Sequence, residues 1–169
     1  DRFESLGFGG HIDYIRDDRH ALSFEQVHQL PDEAWQKVAT EVPSFGFTST
    51  PYWFRTAVHN NAGSPLNSLF ELSYPVLDDV TIYVVGAEGL RATHKFGDIV
   101  PFNARDIKHR NFLFELALAS DETVELLIHV QTSGSMQLPI RLWERHAFQE
   151  NEQGYLVGQG LYLGVLFVM

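Results

Sequence analysis

The pattern that most constrains the fold lies between residues 45 and 145, where short runs of alternating apolar and polar residues follow one another. VELLIHVQT alternates cleanly, and SLFELSYPV places Phe70, Leu72 and Tyr74 on one side. A period of two is typical of strands that bury one face. Polar or glycine-containing turns such as NNAGSP, GAEG and SDET separate the runs, and helical periodicity is scarce. This spacing predicts an antiparallel β-sandwich or jelly roll.

The first 44 residues are less regular. GHIDYIR alternates and predicts a strand over residues 10–16, and SFEQVHQL indicates a second short extended run. Pro31 followed by Asp32 and Glu33 predicts that PDEAWQKV forms one or two helical turns, because proline and acidic side chains favour the first turn of a helix. The expected fold class is therefore all-β, with one short helix near the N-terminus.

Composition and charge narrow the classes of function. The chain has 169 residues, which suits one domain, and 44% of them are hydrophobic. Its formal net charge of -10 argues against a nucleic-acid partner, because phosphate binding requires a broad basic surface. Cysteine is absent, which excludes a disulfide framework or a thiolate metal site and is compatible with an oxidising compartment.

Signatures of catalysis and of cofactor binding are missing from the sequence. The chain contains no GxSxG, P-loop or GxGxxG motif, and no pair among its eight histidines has the HExxH spacing of a zinc site. We therefore expect a binding module rather than an enzyme, with no metal and no cofactor.

The C-terminal segment has a composition of its own. No charged residue follows Glu152, and the chain ends in QGYLVGQGLYLGVLFVM, in which glycine and tyrosine recur. Small residues suit close packing between membrane helices, and tyrosine suits the membrane interface. We predict a domain over residues 1–150, followed over residues 151–169 by a linker and the beginning of a membrane-spanning helix. A buried terminal strand or core helix is the alternative.

Basic residues concentrate in one stretch of this acidic chain, GDIVPFNARDIKHRNFLF at residues 97–114. Four of them fall within six positions: Arg105, Lys108, His109 and Arg110. Together with Asp98, such donors suit sugar hydroxyls or a carboxylate ligand, and arginine pairs well with planar anions. In the alternative interpretation, Asp98 pairs with Arg105 or Arg110 and only holds a long connection against the sheet.

Three further positions extend the candidate site. Strand alternation places Tyr52 and Phe54 on one face and Trp53 and Arg55 on the other. On an open face Trp53 would form a stacking platform for a sugar ring, although the cores of sandwiches also commonly contain tryptophan. Ser133 lies in an SGS turn whose hydroxyls and backbone N–H groups could donate to a ligand, with a plain turn as the alternative.

Four segments carry a family resemblance: YWFRTAVHNN, LFELSYPVLDDVTIYVV, GDIVPFNARDIKHRNFLFEL and VQTSGSMQLPIRLW. Their most specific parts are GD-x-x-PF-x-x-R, HRNF-x-F and SGS-x-x-x-P-x-x-LW. Together they resemble the 7TMR-DISM extracellular domain 2, the periplasmic sensory module of bacterial receptors. The resemblance implies a jelly-roll sandwich, similar to carbohydrate-binding modules, that lies outside the inner membrane and precedes seven membrane helices.

The function that the resemblance implies is ligand sensing. A small ligand, carbohydrate or carboxylate, would bind in the periplasm, and the signal would cross the membrane to a diguanylate cyclase or a histidine kinase. The candidate ligand-binding residues are Trp53, Arg55, Asp98, Arg105, His109, Arg110 and Ser133. The alternative is an interaction module without a small ligand, which pairs with a second copy or with another receptor.

Overall fold

The computed structural model describes residues 4–154. That part of the chain forms twelve strands: β1 (Ser5–Gly7), β2 (Asp13–Arg16), β3 (Gln36–Lys37), β4 (Ser44–Phe47), β5 (Tyr52–His59), β6 (Leu66–Leu72), β7 (Asp79–Gly86), β8 (Gly89–Phe96), β9 (Phe112–Leu118), β10 (Thr123–Gln131), β11 (Ser135–Gln137) and β12 (Ile140–Glu144). It also forms a short helix, α1 (Phe24–His28), and a second helical segment, α2 (residues 145–154).

Ten of these strands form two antiparallel sheets that pack as a sandwich. The six-stranded sheet has the spatial order β3-β2-β5-β10-β7-β8, and the four-stranded sheet has the order β1-β12-β6-β9. The strands β4 and β11 form a small separate pair. The predicted all-β jelly-roll sandwich with a short N-terminal helix is therefore confirmed.

The interior of the sandwich is built from even-numbered residues of the central strands. In the six-stranded sheet Phe54 pairs with Ile128, and in the four-stranded sheet Phe70 pairs with Phe114. All four side chains are buried and belong to one apolar cluster. Each such side chain stabilises the fold by about 1.5–3 kcal/mol relative to leaving it exposed. The sequence predicted that Tyr52 and Phe54 share one face of β5, and both side chains face this interior.

The outer face of each sheet also carries an apolar patch, and a helix covers it. On the six-stranded sheet Trp53 and Leu127 pack under Val27 of α1. On the four-stranded sheet Leu69 and Leu113 pack under Phe148 of α2. The domain therefore has a helix on each side of its two β layers, although the two sheets supply most of its core.

The helix α1 lies where the sequence predicted an extended run, so that prediction was wrong. Ser23 caps the helix: its Oγ accepts from the backbone N–H of Gln26, and the Gln26 side chain accepts from the backbone N–H of Ser23. This reciprocal capping box offsets the cost of a short helix. PDEAWQKV contains one 3-10 turn, Asp32–Ala34, and then enters the strand β3.

The long connection between β8 and β9, residues 97–111, is anchored where it begins. Gly97 has a φ of 114°, and a Cβ there would overlap the backbone carbonyl of Asp78. The next backbone N–H, from Asp98, donates to the Asp78 carbonyl oxygen at 2.9 Å. Glycine is therefore required for both its conformation and its close approach to the β6–β7 loop.

We predict that Gly97→Ala destabilises the domain much more than Gly89→Ala does. Gly89 also has a positive φ, of 110°, but a Cβ there meets nothing within 4 Å. Backbone strain alone costs of order 1–3 kcal/mol at either position, and only Gly97→Ala adds a steric clash. Urea denaturation measures both free energies of unfolding, and equal losses would contradict the proposed anchoring contact.

Candidate ligand-binding site

The connection is clamped to α2 through one carboxylate. Glu152 lies on α2, and its Oε1 accepts from Nη2 of Arg110 at 2.7 Å. Its Oε2 lies 3.0 Å from Nε2 of His109. Nδ1 of His109 accepts the backbone N–H of Asn111 at 3.1 Å, so Nε2 carries the proton that is donated to Glu152. His109 and Arg110 thus tie the end of the connection to the helix.

A second carboxylate fixes the surface beneath this clamp. Glu71 of β6 is only 6% exposed. It accepts from Nδ2 of Asn111 at 2.6 Å and from Nε1 of Trp143 at 2.7 Å. Trp143 in turn meets Phe148 edge-on, with ring centroids 5.8 Å apart. A buried charge is stable only when its oxygens are satisfied, so Glu71 joins β12 to the end of the connection.

Arg105 lies in the middle of the connection, and no acidic side chain of residues 4–154 forms an ion pair with it. Its Nη1 donates to the backbone oxygen of His109 at 3.3 Å. Its guanidinium carbon lies 5.0 Å from the ring centroid of Phe112 and 5.3 Å from that of Phe102. Among the described residues, nothing accepts a hydrogen bond from its buried Nε. Arg105 therefore has donor capacity left over in a partly desolvated setting.

A recess of about 350 Å³ lies beside Arg105, between the edge strand β8 and the connection. Its lining includes His94, Phe96, Val100, Ala104, Arg105 and Asp106. The His94 ring stacks on Phe114 at 4.1 Å, and its Nδ1 lies 3.5 Å from the Asp106 carboxylate. The wall thus combines aromatic surface with a cation, an acid and an imidazole.

Burial lowers the pKa of His94 below its ordinary value of 6.5, and the nearby charge of Asp106 opposes this shift without cancelling it. At neutral pH the imidazole is therefore uncharged, so one ring nitrogen can donate and the other can accept. Such a group suits hydroxyls as well as carboxylates.

Two other predicted site residues, Ser133 and Asp98, bond to Asp78 near the point where the connection begins. The carboxylate of Asp78 accepts from the backbone N–H of Ser133 at 2.7 Å and from its hydroxyl at 2.8 Å. These bonds, the backbone one first, lower the pKa of Asp78 below 3.8. Both donors that the sequence assigned to a ligand are thus engaged by Asp78. Asp98 is exposed and bonds to Asp78 through its backbone.

Trp53 and Arg55 lie on the outer face of the six-stranded sheet, away from the connection. Trp53 faces outward, as a stacking platform would require, but α1 covers it and leaves 2% exposed. Arg55 donates to Asp32 at 2.7 Å and to Asp13 at 3.0 Å, and its guanidinium lies 4.6 Å from the Trp35 ring centroid. Burial acts to lower the pKa of Arg55, but the bonds to the two aspartates outweigh it and raise the pKa.

The seven predicted residues therefore fall into three groups. Arg105, His109 and Arg110 share the connection, Asp98 and Ser133 flank Asp78, and Trp53 and Arg55 occupy the opposite side. Arg55 also lines a shallow groove of about 460 Å³, in which its charge is already matched by Asp13. Within the described part of the chain, the recess beside Arg105 lies next to a buried donor without a partner, on the connection that Glu152 clamps to α2.

The comparison with protein families decides what kind of domain this is. The family 7TMR-DISM extracellular 2 matches residues 9–144. The chain belongs to this family. Family members are sensory domains of receptors, and the 7TMR-DISM domain described here is accordingly periplasmic. Sensory domains of this type are typically non-catalytic, which agrees with the interpretation of the sequence as a binding module.

Other comparisons add little to the 7TMR-DISM assignment. No curated protein matches the chain. A crystal structure of the enzymatically active domain of tailspike protein 4 from bacteriophage CBA120 is similar over 83% of this chain, with 11% identity and a TM-score of 0.32. The chain spans 18% of the tailspike chain.

The segment predicted to enter a membrane lies mostly outside the described residues. Within residues 4–154, no helix is both long enough and apolar enough to cross a bilayer. The domain boundary at residue 150 and the membrane helix therefore stay predictions, while α2 shows that the chain is already helical from residue 145 to residue 154.

Sequence reasoning missed several residues of this 7TMR-DISM domain that shape the site: His94, Asp106, Glu71 and Glu152. His94 lies at an even position of β8, so alternation with Phe96 could have indicated that it faces inward. Glu152 is the last charge before the uncharged tail. Its pairing with a loop more than 40 residues away carries no local signal, and the same holds for Glu71.

The stability of the domain should fall as the pH drops from 7 to 5. Burial lowers the pKa of both His94 and His129 below 6.5. The unfolded chain therefore takes up protons first, and stability that is complete above pH 6.5 is lost towards the lower folded pKa. The double variant His94→Gln, His129→Gln should flatten the slope of unfolding free energy against pH, measured by urea titrations at each pH. His146→Gln, at an exposed position, should leave it unchanged, and an unaltered slope in the double variant would refute the assignment.

Glu71→Gln should destabilise the domain by about 1–3 kcal/mol, because the amide nitrogen of the new glutamine would face either Nδ2 of Asn111 or Nε1 of Trp143, both of which are donors. Glu115→Gln is the matched control on the neighbouring strand β9. Glu115 is exposed and pairs with Arg145, so its loss should cost less than about 1 kcal/mol. Denaturation followed by tryptophan fluorescence measures both, and similar losses would show that the Glu71 network contributes little.

Proposed function

We propose that this domain binds a small carboxylate or carbohydrate ligand in the recess beside Arg105 and passes the binding event through α2 to the membrane part of a receptor. The supporting observation is that one loop, the connection, both lines the recess and holds α2. Arg105 bonds to the backbone of His109, and His109 bonds to Glu152. Two consecutive hydrogen bonds thus join the recess to the helix.

The chemistry of the recess favours this ligand class. A carboxylate would take up the free donor of Arg105, where partial desolvation strengthens a charged hydrogen bond. Hydroxyl groups would exchange hydrogen bonds with the neutral His94 and with Asp106, and the ring of Phe96 offers an apolar wall. On a chain with a net charge of -10, this local cation also provides selectivity for an anion.

Signalling requires that the ligand bind one arrangement of the connection more tightly than another. Drawing Arg105 towards a ligand would loosen its bond to the His109 backbone, which is already long at 3.3 Å. His109 and Arg110 would then shift together against Glu152, and α2 would move with them. In this proposal the output of the receptor is a diguanylate cyclase or a histidine kinase.

A thermal-shift screen against sugars, uronic acids, amino acids and dicarboxylates should identify a binder. At 100 times its dissociation constant, such a ligand should stabilise the fold by about 2.7 kcal/mol. Arg105→Ala should abolish this stabilisation. Arg91→Ala, which removes an exposed arginine from the far end of β8, should retain it, and equal binding by both variants would place the ligand elsewhere.

Hydrogen exchange tests the second part of the proposal. The ligand found in the screen should change the exchange rates of the α2 amides in the unaltered protein. Glu152→Gln should keep the ligand-induced thermal shift but lose this change, since it weakens the clamp without touching the recess. If the ligand leaves α2 exchange unchanged in the unaltered protein, the clamp does not transmit the signal.

A further inference from the structure

The chain leaves the domain at the end of the sandwich where the connection lies, here called the connection end. The strand β12 starts at this end, where Ile140 pairs with Leu72, and it finishes with Glu144 at the opposite end. The helix α2 then runs back, because Glu152 reaches His109 and Arg110 of the connection. The described part of the chain therefore ends at the connection end.

Large apolar side chains are exposed at this same end. Phe47 is 88% exposed, Ile99 69%, Val76 58% and Phe102 53%. They lie on three loops that the strand pairing brings together: the β4–β5 region, the β6–β7 loop and the connection. Three other large apolar residues are exposed within the described part of the chain: Leu90 lies in the β7–β8 hairpin at the opposite end, Leu6 on the edge strand β1, and Val42 just before β4.

The segments that carry these four side chains are poor in charge. They are residues 44–51, 73–78 and 97–104. These segments contain two charged residues, Asp78 and Asp98, although 20% of the whole chain is charged. Asp78 is already engaged by Ser133.

Charged residues at the same end lie on flanking segments: Asp17, Asp18 and Arg19 follow β2, and Arg105, Asp106, Lys108 and Arg110 lie in the second half of the connection. The backbone N–H of Asp17 donates to the Pro51 carbonyl oxygen, which places the first group at this end. The exposed apolar side chains therefore form a patch with a charged rim, and such patches mark protein or membrane contacts.

We propose that the connection end rests on a phospholipid bilayer, with Phe47, Val76, Ile99 and Phe102 in its interfacial layer. The membrane segment predicted from the sequence after Glu152 agrees with this placement, because Glu152 of α2 lies beside the connection. Phenylalanine and aliphatic side chains gain from leaving water at that depth. The inference shares membrane attachment with the proposed function but does not depend on ligand binding.

This contact would give the connection three roles at once. Its first half carries Ile99 and Phe102 to the bilayer, its middle carries Arg105 to the recess, and its end carries His109 to α2. A ligand that moved the connection would then change how the domain sits on the membrane as well as the position of α2.

The absence of cysteine from the chain allows a direct test with single environment-sensitive labels. Ser49→Cys and Asn103→Cys place the nitrobenzoxadiazole label at the connection end, and Asn61→Cys places it in the β5–β6 loop at the opposite end; all three positions are exposed. The full chain is reconstituted in vesicles of phosphatidylethanolamine and phosphatidylglycerol. Emission at positions 49 and 103 should shift to shorter wavelength and be quenched by spin-labelled lipid, while position 61 should behave as in water.

Flotation of the vesicles separates attachment from loop contact. The double variant Phe47→Ser, Ile99→Ser should float with the vesicles but lose most of the quenching at position 103. Three outcomes would overturn the inference. In the first, the chain does not float, and in the second, the labels at positions 49 and 103 stay as water-exposed as the label at position 61. In the third outcome, the emission at positions 49 and 103 shifts to shorter wavelength without vesicles, and the shift grows with protein concentration. The last would assign these loops to a second copy of the chain. The thermal-shift assay reports ligand binding independently of all three.

Discussion

Burial on both faces of each sheet is the constraint from which the rest of the structure follows. The even-numbered residues fill the space between the sheets, yet odd-numbered positions such as Trp53, Leu127, Leu69 and Leu113 are apolar as well. Two stacked sheets alone would leave these side chains in water. The chain therefore adds α1 on one side and α2 on the other, and the hydrophobic effect determines where both helices lie.

Covering the four-stranded sheet has a consequence for function. Because Phe148 must reach Leu69 and Leu113, α2 folds back along the sheet and ends beside the connection. The polar groups that meet there cannot remain unpaired, and Glu71 and Glu152 satisfy them. Burial of the apolar patch on the four-stranded sheet thus brings α2 into contact with the connection, which lines the candidate site. A periplasmic sensor needs such a route from its surface to its membrane side.

The parts of the fold that sequence predicted correctly depend on local patterns. The strand β5 and the hairpin around GAEG were predictable because alternation and turn residues report on neighbours a few positions away. The helix α1 was mistaken for a strand because a five-residue helix shows little periodicity, although Ser23 and Gln26 form a recognisable capping box. The family resemblance suggested the receptor context, and the 7TMR-DISM match confirmed the family.

The candidate site could be predicted from the sequence only in part. Sequence alone determined that the chain is a β-sandwich, that its basic residues gather in the connection, and that an uncharged segment follows Glu152. Only the tertiary structure decided that Arg105 keeps an unpartnered donor, that Arg110 is paired and that Trp53 is covered. The physical reason is distance along the chain: hydrogen bonds and burial between segments 40 or more residues apart depend on how the layers pack, and no local pattern encodes that packing.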